Sequence, residues 1–478
     1  MIQFLLNDTP ISYEMERPDL TVLDYLRECR YLRGTKEGCA SGDCGACTAV
    51  LVEQGEQGLE YRNFNSCITF LGSLHGKQLI TVEHLKSHDR LHPVQQAMVD
   101  QHGSQCGFCT PGFVMSLFSF YKTAQAGRIT SHEENIKEYL SGNLCRCTGY
   151  FPIVRAAEQS LSHHEPDQFD QSSKSVSGIL AKINDQPGSE PAQFHAPTSA
   201  RELAKLKNDY PKARLLAGGT DLALEVTQQH RDLDEIIYLG RVQELCALDR
   251  AETRIQIGSA VTLDRLDIEL GDDFPELRTL LKRFGSRQIR NVGTVGGNIA
   301  NASPIADITP VLIAMNAACV LESIEGQREI LLEDYFLGYK KTELKDNEFI
   351  RCVNVPVPDK NTHLKICKVS KRVDDDISAV CLVALISVVD GVATHVRMAF
   401  GGMAAIPKRA TRCEMALLDQ PLETRVVEQA KAALDQDFQP ISDVRASAGY
   451  RIDVAKNLLD RIFLELSENP PVTRIDQL

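Results

Sequence analysis

The chain has 478 residues, 43% hydrophobic and 24% charged: an ordinary globular balance, and enough length for about three domains at roughly 150 residues each. That balance excludes wholesale disorder, and the longest uninterrupted apolar run, residues 379–386, is 8 residues against the roughly 20 of a membrane-spanning helix. The formal net charge is −13, and no basic face suited to nucleic acid is visible.

The opening residues, MIQFLLNDTP, lack a basic n-region and turn polar at once. No signal peptide is expected, and the chain reads as cytoplasmic, with neither membrane nor nucleic acid as a partner. Residues 2–6 and 11–15 predict two short strands around the turn signal Asn7-Asp8-Thr9-Pro10. Thr21 is placed to cap a helix whose Leu23 and Leu26 face inward. A glycine- and cysteine-rich loop over 34–47 follows, then a strand over 48–53 and a closing strand over 78–83. Residues 1–86 thus predict a small α+β unit.

Helical spacing marks 92–102, 110–124 and 131–141. Thr110 before Pro111 reads as an N-cap with a first-turn proline, Ser131 with Glu134 as a capping box, and Gly142 as a left-handed stop. Residues 87–162 therefore predict a small helical unit. Residues 163–192, rich in Ser, Asp, Gln and Pro, predict an exposed linker. The pair His163-His164 inside it has no ligand partner spaced nearby. From 193 to 360 strands and helices alternate, with glycine turns at Gly218-Gly219 and over 293–297. From 361 to 478 the pattern predicts strands over 378–389 and 394–400, then a helical tail over 446–467. No repeat spans the chain.

Nine of the 15 cysteines fall within the first 150 residues. Without an export signal, such clustering predicts metal ligands rather than disulfides. Cys39-x4-Cys44-x2-Cys47, followed after nineteen residues by Cys67, has plant-type ferredoxin spacing for a [2Fe–2S] cluster. Gly38, Gly42 and Gly45 allow the tight turns that wrap such a loop round the cluster. Zinc sites favour two CxxC-type knuckles, which the x4 gap matches poorly. The second set, Cys106-x2-Cys109 and, after thirty-five residues, Cys145-x-Cys147, gathers four thiols in the helical unit. Its spacing alone leaves zinc open. Cys29 stands outside both sets, and Cys246, Cys319, Cys352, Cys367, Cys381 and Cys413 read as small core residues.

Gly218-Gly219 and Gly293, Gly296 and Gly297 let a backbone approach a pyrophosphate closely, with N–H groups near a helix start as an anion nest. Neither stretch is GxGxxG after a strand, so a Rossmann site is not indicated. A lone Gly-Gly pair is usually just a turn. Two of them, beside Asn298 and Asp307 and downstream of two cluster motifs, favour a flavin.

The stretches QCGFCTPG (105–112) and SGNLCRCTGY (141–150) resemble the two-cluster iron–sulfur domains of the xanthine oxidase family of molybdenum hydroxylases. KEGCASGDCGACTAVL (36–51) resembles the ferredoxin-like half of the same proteins. The form CASGDCGACT is closer to the small subunits of bacterial xanthine dehydrogenases than to aldehyde oxidases or carbon monoxide dehydrogenases. RLLAGGTD (214–221) and NVGTVGGNIANASPIAD (291–307) resemble the family's flavin-binding stretches, and KVSKRVDDDI (368–377) resembles the loop beside its flavin ring. The resemblance implies an α+β multidomain fold. Its parts are a ferredoxin-like β-grasp [2Fe–2S] domain (1–86), a four-helix-type [2Fe–2S] domain (87–162), the linker (163–192), an α+β FAD-binding domain (193–360) that is not Rossmann, and a C-terminal α+β flavoprotein domain (361–478).

The same resemblance implies one cluster on Cys39, Cys44, Cys47 and Cys67, and another on Cys106, Cys109, Cys145 and Cys147. It places FAD along Leu215, Leu216, Ala217, Gly218, Gly219, Thr220 and Asp221, where Asp221 replaces a glutamate common in animal relatives. Phe284 is expected near the flavin or adenine, and Thr294, Gly297 and Asn298 at the diphosphate. Asp307 is expected on a polar group of the cofactor, and Ile350 and Lys368 beside the isoalloxazine. Tyr339 and Asp375 would face NAD+, although the basic–acidic run 371–376 also reads as a solvated loop. No catalytic residue beyond the cofactors is expected on this chain.

A molybdopterin domain has no residues left to build it, so that cofactor is expected on a large partner subunit, in an α2β2 heterotetramer. The implied function is electron relay in purine catabolism. Electrons from hypoxanthine or xanthine would pass from molybdenum through the helical cluster, the ferredoxin-like cluster and FAD to NAD+. The alternatives are the equivalent subunit of a hydroxylase acting on an aldehyde, carbon monoxide or an N-heterocycle, a stand-alone iron–sulfur flavoprotein carrier, and a zinc-stabilised binding protein.

Overall fold

The computed structural model describes residues 1–162, 166–185, 193–467 and 469–473, so His163 and His164 lie outside the described residues. The chain divides into two compact units. One comprises Met1–Thr198, Tyr210–Val242 and Gly285–Gly293; the other comprises Ser199–Asp209, Gln243–Phe284 and Thr294–Leu478.

In the first unit a five-stranded sheet runs in the order Thr9–Tyr13, Ile2–Leu6, Gln78–Ile80, Thr48–Gly55, Gly58–Asn65. Ile2–Leu6 and Gln78–Ile80 are parallel, and the other neighbours are antiparallel. The first turn is tighter than its residues suggest. Leu6 pairs with Thr9 and Asn7 takes φ +56°, so Thr9 and Pro10 belong to the second strand. That strand is an edge, where a missing proline N–H breaks no ladder. The strand Gly58–Asn65 carries no clear apolar alternation: its residues are mostly half-buried, and the hairpin from Gly55 to Gly58 fixes it. Thr21 caps as expected, its Oγ1 accepting from Asp24 N at 3.1 Å. Leu23 and Leu26 are buried.

Four helices follow: Pro93–Asp100, Thr110–Gln125, Glu133–Leu140 and Phe151–Leu161. Thr110–Gln125 is buried from Gly112 to Lys122. Three expected caps are corrected. Cys109 occupies the N-cap before Thr110, and the Thr110 hydroxyl instead meets Ser104 Oγ at 2.7 Å. His132, not Ser131, is the N-cap of the third helix, with no side-chain capping bond. Gly142 is not left-handed; its need is space, because a Cβ there would lie 2.3 Å from both Gln288 Oε1 and Ser286 Cβ.

The expected linker is corrected as well. Gln168–Asp185 is an 18-residue helix with Phe169, Val176, Leu180 and Ile183 buried. Its start is pinned by Asp167, which meets Lys122 Nζ at 3.1 Å and His92 Nε2 at 3.1 Å. The unit closes with a parallel sheet in the order Phe194–His195, Ile236–Tyr238, Arg214–Leu216.

Among the described residues the second unit holds two larger antiparallel sheets besides the two-stranded pair of Phe336–Gly338 and Lys341–Thr342. One runs Gly326–Leu331, Ala318–Ser323, Phe349–Pro356, Arg254–Gly258, Leu248–Arg250; the other runs Thr362–Val369, Val380–Val389, Val392–Gly401, Lys408–Arg409. Residues of Val380–Val389 alternate between two cores. Cys381 and Val383 join the helices Leu263–Leu270 and Ile308–Ala314, while Val380, Leu382 and Ala384 join Thr411–Leu417 and Ala448–Glu465. Burial on both faces explains the continuous apolar run. Of the isolated cysteines, Cys319, Cys352, Cys367, Cys381 and Cys413 are buried and Cys246 is half-buried, whereas Cys29 is exposed. Among the described residues no helix is long and apolar enough to cross a membrane.

Candidate cofactor sites

The loop from Cys39 to Cys47 folds against Cys67, bringing the first four thiols together in the first unit. Cys47 Sγ lies 3.2 Å from Cys67 Sγ, and Cys39 engages Cys44 and Cys67. Backbone N–H groups point at the sulfurs: Ser41 N and Cys44 N each reach Cys39 Sγ at 3.4 Å. Hydrogen bonds from Cys44 and then Cys67 hold the Cys39 thiol well below its ordinary range. The converse effect pushes Cys44 and Cys67 up. Gly45 takes φ +69°, and a Cβ there would stand 2.2 Å from Gly142 O. No larger residue fits.

The second set also comes together. Cys109 pairs with Cys145, and Cys106 with Cys147. Cys106 and Cys147 are exposed, and Cys109 and Cys145 half-buried. Thr148 N donates to Cys145 Sγ at 3.4 Å, and Tyr150 Oη accepts from Cys145 N at 3.0 Å. Among the described residues no group of three His, Cys, Asp or Glu is arranged for a single metal ion. Both sets present two pairs of thiols with amide donors on sulfur, a donor set that fits a [2Fe–2S] cluster.

The residues expected at FAD fall in both units. In the first, the strand Arg214–Leu216 leads into the turn, braced by Arg214 on Glu225 at 2.6 and 2.8 Å. Gly218 has no room for a Cβ, which would stand 1.9 Å from Val292 O, and Gly219 takes φ +77°. The N–H groups of Gly218, Gly219, Thr220 and Asp221 have no acceptor among the described residues. They keep the character of an anion nest. Leu216 is buried, Leu215, Ala217 and Thr220 are half-buried, and Asp221 is exposed.

In the second unit the expected nest is corrected. The N–H groups of Val295 and Gly296 bond Val261 O and Ser259 O at 3.0 and 2.8 Å, and Gly297 N bonds Thr294 Oγ1 at 3.1 Å. Asn298 N bonds Thr294 O at 3.0 Å. A capped six-residue helix, Val295–Ala300, therefore uses its own donors. Asn298 Oδ1 accepts from Thr309 Oγ1. Asp307 and Lys368, expected to touch the cofactor separately, form a buried ion pair at 2.6 Å. Ile350 is buried and Phe284 half-buried against the same core. Tyr339 is exposed, and Asp375 is half-buried with φ +49°.

One organising residue escaped the sequence reading. Arg283 donates to Lys368 O, Val373 O and Ser370 Oγ at 3.0–3.1 Å, so it holds the whole 368–373 segment. A lone arginine carries no spacing signal that could have marked it.

Four family models match along the chain: a 2Fe-2S iron-sulfur cluster binding domain (4–72), a [2Fe-2S] binding domain (81–158), the FAD binding domain in molybdopterin dehydrogenase (190–358), and the CO dehydrogenase flavoprotein C-terminal domain (365–466). Xanthine dehydrogenase of Emericella nidulans is 31% identical over 91% of this chain, and that of Drosophila pseudoobscura pseudoobscura 31% over 97%. The chain spans only 36% and 39% of the length of those relatives. A solved chain of carbon monoxide dehydrogenase from Hydrogenophaga pseudoflava superposes with TM-score 0.54 and 27% identity, over 58% of this chain and 96% of that one. Quinoline 2-oxidoreductase from Pseudomonas putida, at 24% identity and TM-score 0.53, shares the fold.

Two cluster-binding domains followed by a flavin-binding domain define the class, an electron-transferring iron–sulfur flavoprotein. The chain belongs to the xanthine oxidase family of molybdenum hydroxylases, as the part that carries the [2Fe–2S] and FAD domains.

Proposed function

We propose that this chain is the electron-transfer part of a xanthine dehydrogenase, serving hypoxanthine or xanthine oxidation on a molybdopterin-bearing partner and delivering electrons to NAD+. One observation carries the reading. Xanthine dehydrogenases match 91–97% of the chain, both cluster domains and the flavin domain in one polypeptide, whereas the solved carbon monoxide dehydrogenase chain accounts for 58% of it. When bound, the clusters supply one-electron chemistry and FAD couples it to a two-electron acceptor.

The chain's own residues would bind and orient these groups. The two thiol sets hold iron, and the amide donors on Cys39 and Cys145 stabilise thiolate charge. The N–H groups of 218–221 receive a phosphate. Arg283 fixes the loop that follows Lys368, and the aspartates 374–376 give that loop a negative field suited to a cationic nicotinamide ring. Tyr339 and Asp375 face that ring in this reading. An α2β2 assembly, a cytoplasmic location and the domain bounds 1–86, 87–162, 193–360 and 361–478 belong to the same proposal. The fold neighbours favour one second reading, the equivalent part of a carbon monoxide or N-heterocycle hydroxylase.

Isolation of the tagged chain from its own cells tests both. The expected result is co-purification with a molybdenum-bearing chain and xanthine-dependent formation of NADH. Turnover of quinoline or carbon monoxide without turnover of xanthine would overturn the first reading in favour of the second.

A further inference from the structure

Gln288 lies on the four-residue helix Arg287–Arg290 and is fully buried. Its Nε2 sits 2.9 Å from Asn143 Oδ1, 3.3 Å from Ser116 Oγ and 3.3 Å from Thr48 Oγ1. All four residues belong to the first unit. Thr48 immediately follows the first thiol loop, and Asn143 stands two residues before Cys145 in the second.

The two thiol loops are joined directly beneath this amide. Asn143 Nδ2 donates to Gly45 O at 3.0 Å and to Thr48 Oγ1 at 3.2 Å. Ser116 Oγ donates to Asn143 Oδ1 at 2.6 Å. Alongside, Leu144 N donates to Cys44 O at 3.0 Å. One hydrogen bond therefore links a candidate ligand of the first set to the peptide unit next to a candidate ligand of the second. Three glycines make room for the approach. A Cβ on Gly45 would meet Gly142 O at 2.2 Å, one on Gly112 would meet Gly45 O at 2.2 Å, and one on Gly142 would meet Gln288 Oε1 at 2.3 Å.

The side chain is costly to keep. Gln288 Oε1 is buried without a hydrogen-bond partner among the described residues, and an unmet buried acceptor destabilises a fold. An apolar residue of similar volume would avoid that penalty. What it would lose is the directional donor that locks Asn143, and through Asn143 the register of the two loops. The segment carrying Gln288 is itself fastened on either side: Arg287 and Arg290 both pair with Glu138, and Asn291 Nδ2 donates to Asn63 O at 2.8 Å.

We infer that Gln288 is a positioning residue that fixes the two cluster-binding loops against each other across the Cys44–Leu144 hydrogen bond, and so sets the coupling between the two clusters. Electron exchange between redox centres weakens steeply with separation and with each broken link between them, so register at this seam governs the rate. The inference rests on the assignment of two clusters proposed above.

The test uses the full chain with FAD and both clusters, as Gln288→Leu and, more mildly, Ser116→Ala. The readouts are iron content, the magnetic splitting between the two reduced clusters in low-temperature EPR, and amide hydrogen exchange over 44–46 and 142–145. The expected result is full iron, an altered splitting, and exchange at least tenfold faster in Gln288→Leu, with a smaller change of the same kind in Ser116→Ala. Unchanged splitting and exchange in Gln288→Leu overturns the inference, even if the melting temperature drops. Loss of a cluster from both variants also overturns it, by making Gln288 a requirement for cluster binding. A wild-type chain holding no iron fails the underlying cluster assignment instead.

Discussion

Lys368 Nζ stands 2.6 Å from Asp307 Oδ2, with the two side chains only 3% and 5% exposed. Ser378 Oγ donates to the other carboxylate oxygen at 2.5 Å. The pair ties the strand Thr362–Val369 to the start of the helix Ile308–Ala314. Burial, and then the Asp307 charge, push the neighbouring Cys381 thiol well above its usual range, so it stays neutral. Two charges buried this deeply offset each other's desolvation only while both are present.

Removal of one partner therefore strands the other. Lys368→Met is expected to destabilise the second unit by about 3–5 kcal/mol. Lys368→Met combined with Asp307→Leu should recover much of that loss, because no charge is left without a partner. Thermal unfolding followed by circular dichroism checks this. A double variant as unstable as the single one would show that packing, not charge, holds the site.

The two thiol sets should fail independently. Cys44→Ser is expected to remove the ferredoxin-like cluster and Cys106→Ser the helical one, each lowering iron from about four to about two per chain. Each variant should keep the EPR signal that the other loses. In a complete enzyme, Cys106→Ser should block xanthine-dependent reduction of the flavin while NADH still reduces it. Xanthine–NAD+ activity near wild type in Cys106→Ser would refute the proposed relay order.

Much of this architecture is legible in the residues, and the exceptions have physical causes. Both thiol sets follow from spacing, because four ligands to one group must recur at fixed intervals. The segment 163–192 misleads because its Ser, Asp and Gln suggest a solvated coil, while Phe169, Val176, Leu180 and Ile183 keep helical spacing and are buried. The glycines over 293–297 suggest a phosphate nest, but Thr294, Ser259 and Val261 consume those donors. Gln288 and Arg283 carry no pattern at all. Their partners are 85–240 positions away in sequence, and only the folded chain brings them together.

The helix within that segment makes its own prediction. Gly178 lies inside Gln168–Asp185, is exposed, and has nothing within 4 Å of where a Cβ would stand. Gly178→Ala is expected to stabilise the first unit by about 0.5–1 kcal/mol, read as a raised melting midpoint. An unstructured linker would show no such gain.

His75 supplies a dependence on pH. It is 7% exposed, its Nδ1 accepts from Gln3 N at 3.1 Å, and Nε2 has no partner among the described residues. Burial, and then the charge of Arg241, lower the imidazole to about 4, against roughly 6.5 for an unperturbed side chain. Between those values the unfolded chain binds the proton and the folded chain does not. Stability contributed by the neutral ring is therefore complete above about pH 6.5 and is lost progressively as the pH falls towards 4. His75→Gln keeps an acceptor for Gln3 N but cannot titrate in this range. Its melting temperature should fall less steeply than wild type between pH 6.5 and 4.5, and the two slopes should match above pH 7. Parallel profiles throughout, followed by circular dichroism so that cluster loss does not set the signal, would remove His75 from the acid response.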